Sequence, residues 1–551
     1  MSGECPDVRQ GATKAPDQTD QRDQQLHKLH RSQGGNVSLV IKGRIVPLSA
    51  DASVATSERA AFQGKVWIGD DGRIERVTQG NAAGPTTGFS SAPVVDVGSN
   101  LVLPGFVDLH SHLAYATLPL WVEQGRTVAF LHHDSWPSAP SYASDITWPA
   151  YAFIEAAPHE LLAYAEVRAL IGGTTSIQGS PPKNRPLDGW MVRNVEDETF
   201  GGTIGANRVL ASTLTLKPEV LAARSAQMKA GATFIYHCAE GQVNSLAARE
   251  YQSVRKCGCL QRDLVAIHTN AVNPGDYDAW TEAGTIVWSP FSNLWLYGST
   301  TDVPSAQASG ISVCVGSDWG PSGTRNVLGE VKVASLVNKS KGWKLSAFDL
   351  VRMITSSPGD ALLRAWGAQA GRLQPDALGD VVVIAADASA EPFSAVLAAT
   401  ERSVQLVVVG GRALYGDTEL MEAAKATTTS PLTVAGIKRL ISMVKLEDQS
   451  HPWDFASVVA RLEEVRANPG KEIDKAKKAF AASRLADSVP RLRLALDMPL
   501  GKVPIGGLPK DLGQVVVPPI QPLEHDAAFF ASIKGRGFHS GLLDGLSAFY
   551  Q

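Results

Sequence analysis

The nine residues PGFVDLHSH, 104–112, decide how the rest of the chain is read. The run VLPGFVDL is apolar and strand-like, and it closes on His110 and His112, one residue apart. Alternate side chains of a strand share a face, so the two imidazoles can point the same way. Imidazole pairs of this kind suit zinc, iron or nickel. Taken alone the pair is weak, because two polar residues at the end of a strand is the commoner reading.

Working outward, three more apolar runs end in the same manner. FIYHCAEG closes on His237, with Glu240 three residues later in the following loop. LVAIHTN closes on His268, one strand–helix unit further on, and ISVCVGSDWG closes on Asp318. Helical stretches such as LLAYAEVRALIGG and PEVLAARSAQMKAG alternate with these runs between about Gly105 and Trp366. That alternation predicts a parallel α/β fold. Residues at the C-terminal ends of barrel strands sit on the usual active face. Four strand ends thus offer His-x-His, His, His and Asp, in order, which chance placement of twelve histidines would rarely produce. His132 and His133, in an aromatic loop, read as solvated, and His27 and His30 fall in a polar tail.

The flanks differ from the centre. Residues 1–36 are polar and predict a disordered tail. VSLVIKGRIVPL, the hairpin KVWIGDDGRIERV, GDVVVIAA and VQLVVVGGRALYGD are β-rich, so residues 37–103 and 367–416 are expected to form one small composite β-sandwich around the core at 104–366. Neither half has enough strands to stand alone. Residues 417–551 read as a mostly helical extension, with LTVAGIKRLISMVKL, FASVVARLEEV and KEIDKAKKAFAASRL helical by period. Pro518 and Pro519 break its last stretch.

Bulk properties narrow the function. The 551 residues are 44% hydrophobic and carry a formal net charge of −4, with no basic stripe, which argues against nucleic acid as partner. No apolar run is long enough for a bilayer, and the five cysteines make no disulfide framework. A cytoplasmic protein acting on a small molecule is expected, with a homo-oligomer, a dimer as first guess, as the expected assembly.

The motif set resembles the amidohydrolase superfamily, in its cytosine-deaminase-like and triazine-chlorohydrolase-like branch. The matching pieces are PGFVDLHSH, the GGTTS segment, HCAEG, IHTN, WSPFSNLWLYG and VGSDWG, and GRLQPDALGDVVVI resembles the return to the family's sandwich. The resemblance covers about residues 37–416 and implies a (β/α)8 TIM barrel. It also implies one divalent metal, zinc or alternatively Fe2+, held by His110, His112, His237 and Asp318. Glu240 would shuttle a proton to the leaving group, and Asp318 would take one from the attacking water. His268 would contact that water or the substrate, or join the coordination shell. Trp319, Trp148 and Asn293 are read from the sequence as further candidate substrate contacts. Trp136, Tyr142, Trp148 and Trp319 offer an aromatic lining.

The implied reaction is hydrolysis of a carbon–nitrogen bond in a small cyclic or aromatic nitrogen compound. The alternatives are a hydrolytic dehalogenase, a two-metal amidase or peptidase using Lys217, and a non-catalytic scaffold. Scaffolds of this kind lose metal ligands, and this chain keeps all of them.

Overall fold

The computed structural model describes residues 38–179, 191–196, 204, 207–280, 282–443, 454–482 and 509–551. The tail expected over 1–36 lies outside them. Among the described residues, four strands come first: β1 (Leu39–Ile45), β2 (Phe62–Ile68), β3 (Ile74–Gln79) and β4 (Val94–Pro104). Eight short strands follow: β5 (Phe106–Asp108), β6 (Thr174–Ile177), β7 (Arg193–Asn194), β8 (Val209–Ser212), β9 (Thr233–Cys238), β10 (Leu264–His268), β11 (Thr285–Trp288) and β12 (Ser312–Val315). The last five are β13 (Val381–Ile384), β14 (Val404–Val409), β15 (Arg412–Gly416), β16 (Thr429–Val434) and β17 (Ile437–Ser442).

The flanking strands make one nine-stranded sheet in the order β16-β17-β15-β14-β13-β4-β1-β2-β3. Strands from before and after the α/β core meet where β13 runs antiparallel to β4, pairing Val382 with Leu103. The sheet wraps around an aliphatic core of its own, including Ile41, Val66, Val95, Val383, Leu406 and Val408. The alternate residues Val382, Ile384, Val407 and Val409 join the large core instead, so β13 and β14 are covered on both faces.

The described part of the stretch 432–446, residues 432–443, does not form the helix that its apolar spacing predicted. β16 and β17 are a hairpin turning on Ala435 and Gly436, both at positive φ, with Val434 opposite Ile437. Across such a turn Val434, Ile437 and Ile441 mimic helical spacing, while within each strand the period is two. Helices do occur further on, at Phe455–Ala467 and Pro469–Ala482.

The eight central strands are parallel and fall into two sheets, β5-β6-β7 and β12-β11-β10-β9-β8. A parallel bridge between Ser111 and Asp318 links them just beyond β5 and β12. Asp318 N–H donates to the His110 carbonyl at 2.8 Å, and His112 N–H to the Asp318 carbonyl at 3.2 Å. Side chains from both sheets share one interior cluster: Val107 of β5, Val209 of β8, Ile235 of β9, Val265 and Ile267 of β10, Val287 of β11 and Cys314 of β12. On the other face, Phe234 and Tyr236 join the large core with the surrounding helices. No helix of the described residues is long and apolar enough to cross a membrane.

Candidate active site

The Ser111–Asp318 bridge brings the first and last of the central strand ends together, and the site forms there. His110 Nε2 lies 3.1 Å from His237 Nε2 and 3.3 Å from Asp318 Oδ1, and His112 Nε2 lies 3.6 Å from the same oxygen. Donor atoms of His110, His112 and His237, and separately of His110, His268 and Asp318, lie within 4.8 Å of one another. His110 has room because Gly316 faces it, where a Cβ would come within 2.6 Å of the His110 Cβ. Its ring is held from behind by Ser289 Oγ, 2.7 Å from Nδ1.

Asp108, two residues before His110, ties this corner. It accepts from the backbone N–H of His110 and of Ser317, and from Ser317 Oγ. Burial pushes its carboxyl up to about 7.

His268 and Glu240 form the second half. Asn293 Nδ2 donates to His268 Nδ1 at 3.0 Å. That bond leaves the ring proton on Nε2, which faces Glu240 Oε2 at 3.5 Å. Glu240 Oε1 accepts from the Tyr297 hydroxyl at 2.6 Å, and that hydroxyl accepts from Trp136 Nε1 at 2.9 Å. The loop at 130–136 is fastened to the Glu240 loop by the His132–Gly241 bridge and by His133 N–H donating to the Glu240 carbonyl. His133 Nδ1 lies 3.9 Å from Glu240 Oε2.

The electrostatics are those of a site prepared for a cation. Burial holds the imidazoles of His110, His237 and His268 well below the usual histidine range, and that of His112 at about 3, so all four are neutral, and those of His110, His112 and His237 have lone pairs to offer. Burial, then the nearby Glu240, drives Asp318 well above the carboxylate range, and burial also raises Glu240. No Lys or Arg pairs with Asp318 among the described residues. Converging neutral imidazoles and an uncompensated buried carboxylate are a donor set for a divalent ion. His133 goes the other way, raised to about 9 against its own burial by Asp134 and Glu240. Ala239, His268, Thr269 and Asp318 all have positive φ, a strained conformation for residues other than glycine.

Of the aromatic residues expected to line the site, Trp136, Tyr142 and Trp319 form one ring cluster, with Trp136 5.3 Å from Trp319 and Tyr115 5.1 Å from Trp319. Trp148 opens the helix Trp148–Ala156 and packs half-buried against the large core. Lys217 is exposed and caps the helix Pro218–Lys229, away from the donor cluster. Sequence reading did not single out Tyr297, Ser289 or Asp108, and took His133 for a solvated residue. Tyr297 and Ser289 lie within or beside WSPFSNLWLYG, and Asp108 within PGFVDLHSH, so a signal was present there. For His133 only the neighbouring aromatic residues hinted at a packed loop.

Geometry and donor chemistry describe a buried cluster that could hold a divalent metal ion. The comparisons point the same way: the chain is similar to metal-dependent deaminases and related hydrolases, which supports a deaminase-like hydrolase of the amidohydrolase type. A 5-methylthioadenosine/S-adenosylhomocysteine deaminase from Caldicellulosiruptor saccharolyticus is 23% identical over 418 residues, covering 70% of this chain and 95% of the relative. An adenosine deaminase from Xanthomonas campestris, crystallised with bound zinc, shares the fold with a TM-score of 0.54 at 14% identity, over 79% of this chain and 98% of that one. An atrazine chlorohydrolase variant from Arthrobacter aurescens shares it with a TM-score of 0.52 at 16% identity, over 68% and 95%. No family model matches the chain.

Proposed function

We propose that the protein is a cytoplasmic deaminase that removes the exocyclic amino group of a purine or similar aminoheterocycle, with adenosine-related compounds as the first candidates. The observation that carries the reading is Glu240. It is buried beside the donor cluster, outside both groups of candidate ligands, and gripped by Tyr297 and His268. That is where a proton carrier to a departing amine belongs. The names of the sequence relatives and the aromatic cluster beside Asp318 support a flat, nitrogen-bearing substrate.

In this reading His110, His112, His237 and Asp318 hold one divalent ion, zinc by preference. When bound, such an ion lowers the pKa of water towards neutrality. Ser289 and Asp108 fix the orientation of His110 and its strand end. Asp318 accepts a proton from the attacking water. Water adds at the carbon bearing the amino group, and Glu240 delivers a proton to that nitrogen. The C–N bond then breaks, leaving ammonia and a carbonyl. His268, its Nε2 proton fixed by Asn293, donates to the oxygen at the reacting carbon, and Trp319 forms part of the wall against the ring.

The same reading closes the eight central strands into a (β/α)8 barrel; the shared interior cluster and the Ser111–Asp318 bridge support it. Residues 104–366 form that catalytic unit, and the flanking β-rich segments 37–103 and 367–416, extended at one edge by the 429–442 hairpin, form a second one. The test is ammonia release from adenosine, 5′-deoxyadenosine, 5-methylthioadenosine, S-adenosylhomocysteine, guanine and cytosine, run beside amides and chlorinated triazines. Turnover of amides or chlorides with no ammonia from any aminoheterocycle would sink the reading.

A further inference from the structure

The C-terminal segment packs against the turn behind the active site at Trp295. The turn Asn293–Tyr297 is π-helical, wider than an α-helical turn, and such turns recur at functional sites. Its first residue, Asn293, fixes His268, and its last, Tyr297, holds Glu240. Trp295 lies midway and is fully buried.

Residues 536–539 enclose that indole. The Phe538 N–H donates to the Trp295 carbonyl at 3.2 Å. The His539 ring stacks on the indole at a centroid distance of 6.0 Å and 8° between planes. Arg536 lies over it and bonds the Leu120 carbonyl. Gly537, at φ +70, presses so closely that a Cβ there would lie 2.5 Å from the indole Cε3. On its other side Trp295 Nε1 donates to the Trp121 carbonyl at 2.7 Å, and Phe130 N–H bonds the Leu296 carbonyl at 2.9 Å. A wide turn has carbonyls to satisfy from outside, and here the C-terminal segment supplies one of the donors.

The geometry points to Gly537 and Trp295 as positioning residues for the reaction: the C-terminal segment braces the Asn293–Tyr297 turn and thereby aims His268 and Glu240. The effect on turnover rests on the deaminase reading above; the brace itself does not. The segment also lies beyond residues 37–416, so the resemblance to the superfamily does not account for it.

The test is Gly537→Val in the full chain. Its β-branched side chain meets both the positive φ and the indole, so residues 536–539 should leave Trp295. Hydrogen exchange of the amides at 293–297 should rise at least about tenfold, with the bound ion retained. On a substrate the wild type turns over, kcat should fall about tenfold with KM nearly unchanged. Combined with Tyr297→Phe, the losses should be less than additive, because both act on Glu240. A purely structural segment would give additive losses.

Unchanged exchange at 293–297, or additive losses in the double variant, would overturn the brace. If Gly537→Val does not fold, Gly537→Ala gives the same readings on a smaller scale. If the wild type turns over no aminoheterocycle, the deaminase reading falls, and the exchange measurement still decides the brace.

Discussion

The nine-stranded sheet and the catalytic ends of the parallel strands are built from similar β residues, yet they handle backbone and polar groups in opposite ways. In the middle of the sheet, Val, Ile and Leu fill both faces, and the hairpins turn on glycines such as Gly72, Gly410 and Gly411, or on Ala435 with Gly436. At the strand ends, Ala239, His268, Thr269 and Asp318 take positive φ without being glycine. Four neutral imidazoles and two carboxyls raised by burial share that space. The sheet follows local rules and holds the chain together. The strand ends break those rules where chemistry needs them, and strain and perturbed pKa values concentrate at working sites.

The sharpest way to break this contrast is to remove a donor. His110→Ala or His237→Ala should take the ion content from about one per chain to near zero and turnover to background, measured by elemental analysis beside ammonia release. Full ion content in both variants would show that the cluster is not the metal site. Glu240→Gln is the next largest effect. It keeps shape and ion but lacks the proton, so kcat should fall by roughly 10²–10⁴. A wild-type rate on an amine-leaving substrate would remove Glu240 from the mechanism.

The sheet should answer differently. Leu406→Ala, in its core, should cost about 2–5 kcal/mol of stability in denaturant unfolding while kcat and KM stay the same. A parallel fall in kcat would mean the two regions are not separable.

The smallest effect concerns acid. Glu401 is buried against His525, 2.6 Å from its Nδ1, and is held down at about 2 chiefly by His525, whereas burial keeps His525 below its ordinary range. Both folded pKa values lie below the unfolded ones. Stability from His525 is therefore lost as pH falls below about 6.5, and that from Glu401 between about 4.5 and about 2. Melting temperature should decline across that range, and His525→Gln should flatten its upper part. An unchanged slope in that variant would rule out the pair as its source.

Much of the site was legible because its signals are local. A polar residue at the end of an apolar run shows itself at Asp318 and at each of His110, His237 and His268. Tyr297 was not legible, since its partner Glu240 is 57 residues away and an aromatic residue in a buried turn reads as core. His133 was misread because its raised pKa comes from Asp134 beside it and Glu240 across a loop. The hairpin at 429–442 was missed because two strands around a tight turn imitate helical spacing, and the edge of β15 that receives them, pairing Tyr415 with Ile441, is a long-range feature.

The bridge between Ser111 and Asp318 has a thermodynamic consequence. Residues on both sides of it are proposed ligands of one ion. That ion is then also a cross-link, closing a loop of roughly 200 residues between the first and the eighth central strand. Closing so long a loop restricts the unfolded chain somewhat more than closing a short one, since the cost grows with the logarithm of loop length. Chelation should therefore open the molecule along one seam, between β5 and β12, before the nine-stranded sheet gives way. The ion that activates water would also serve as the clasp of the fold.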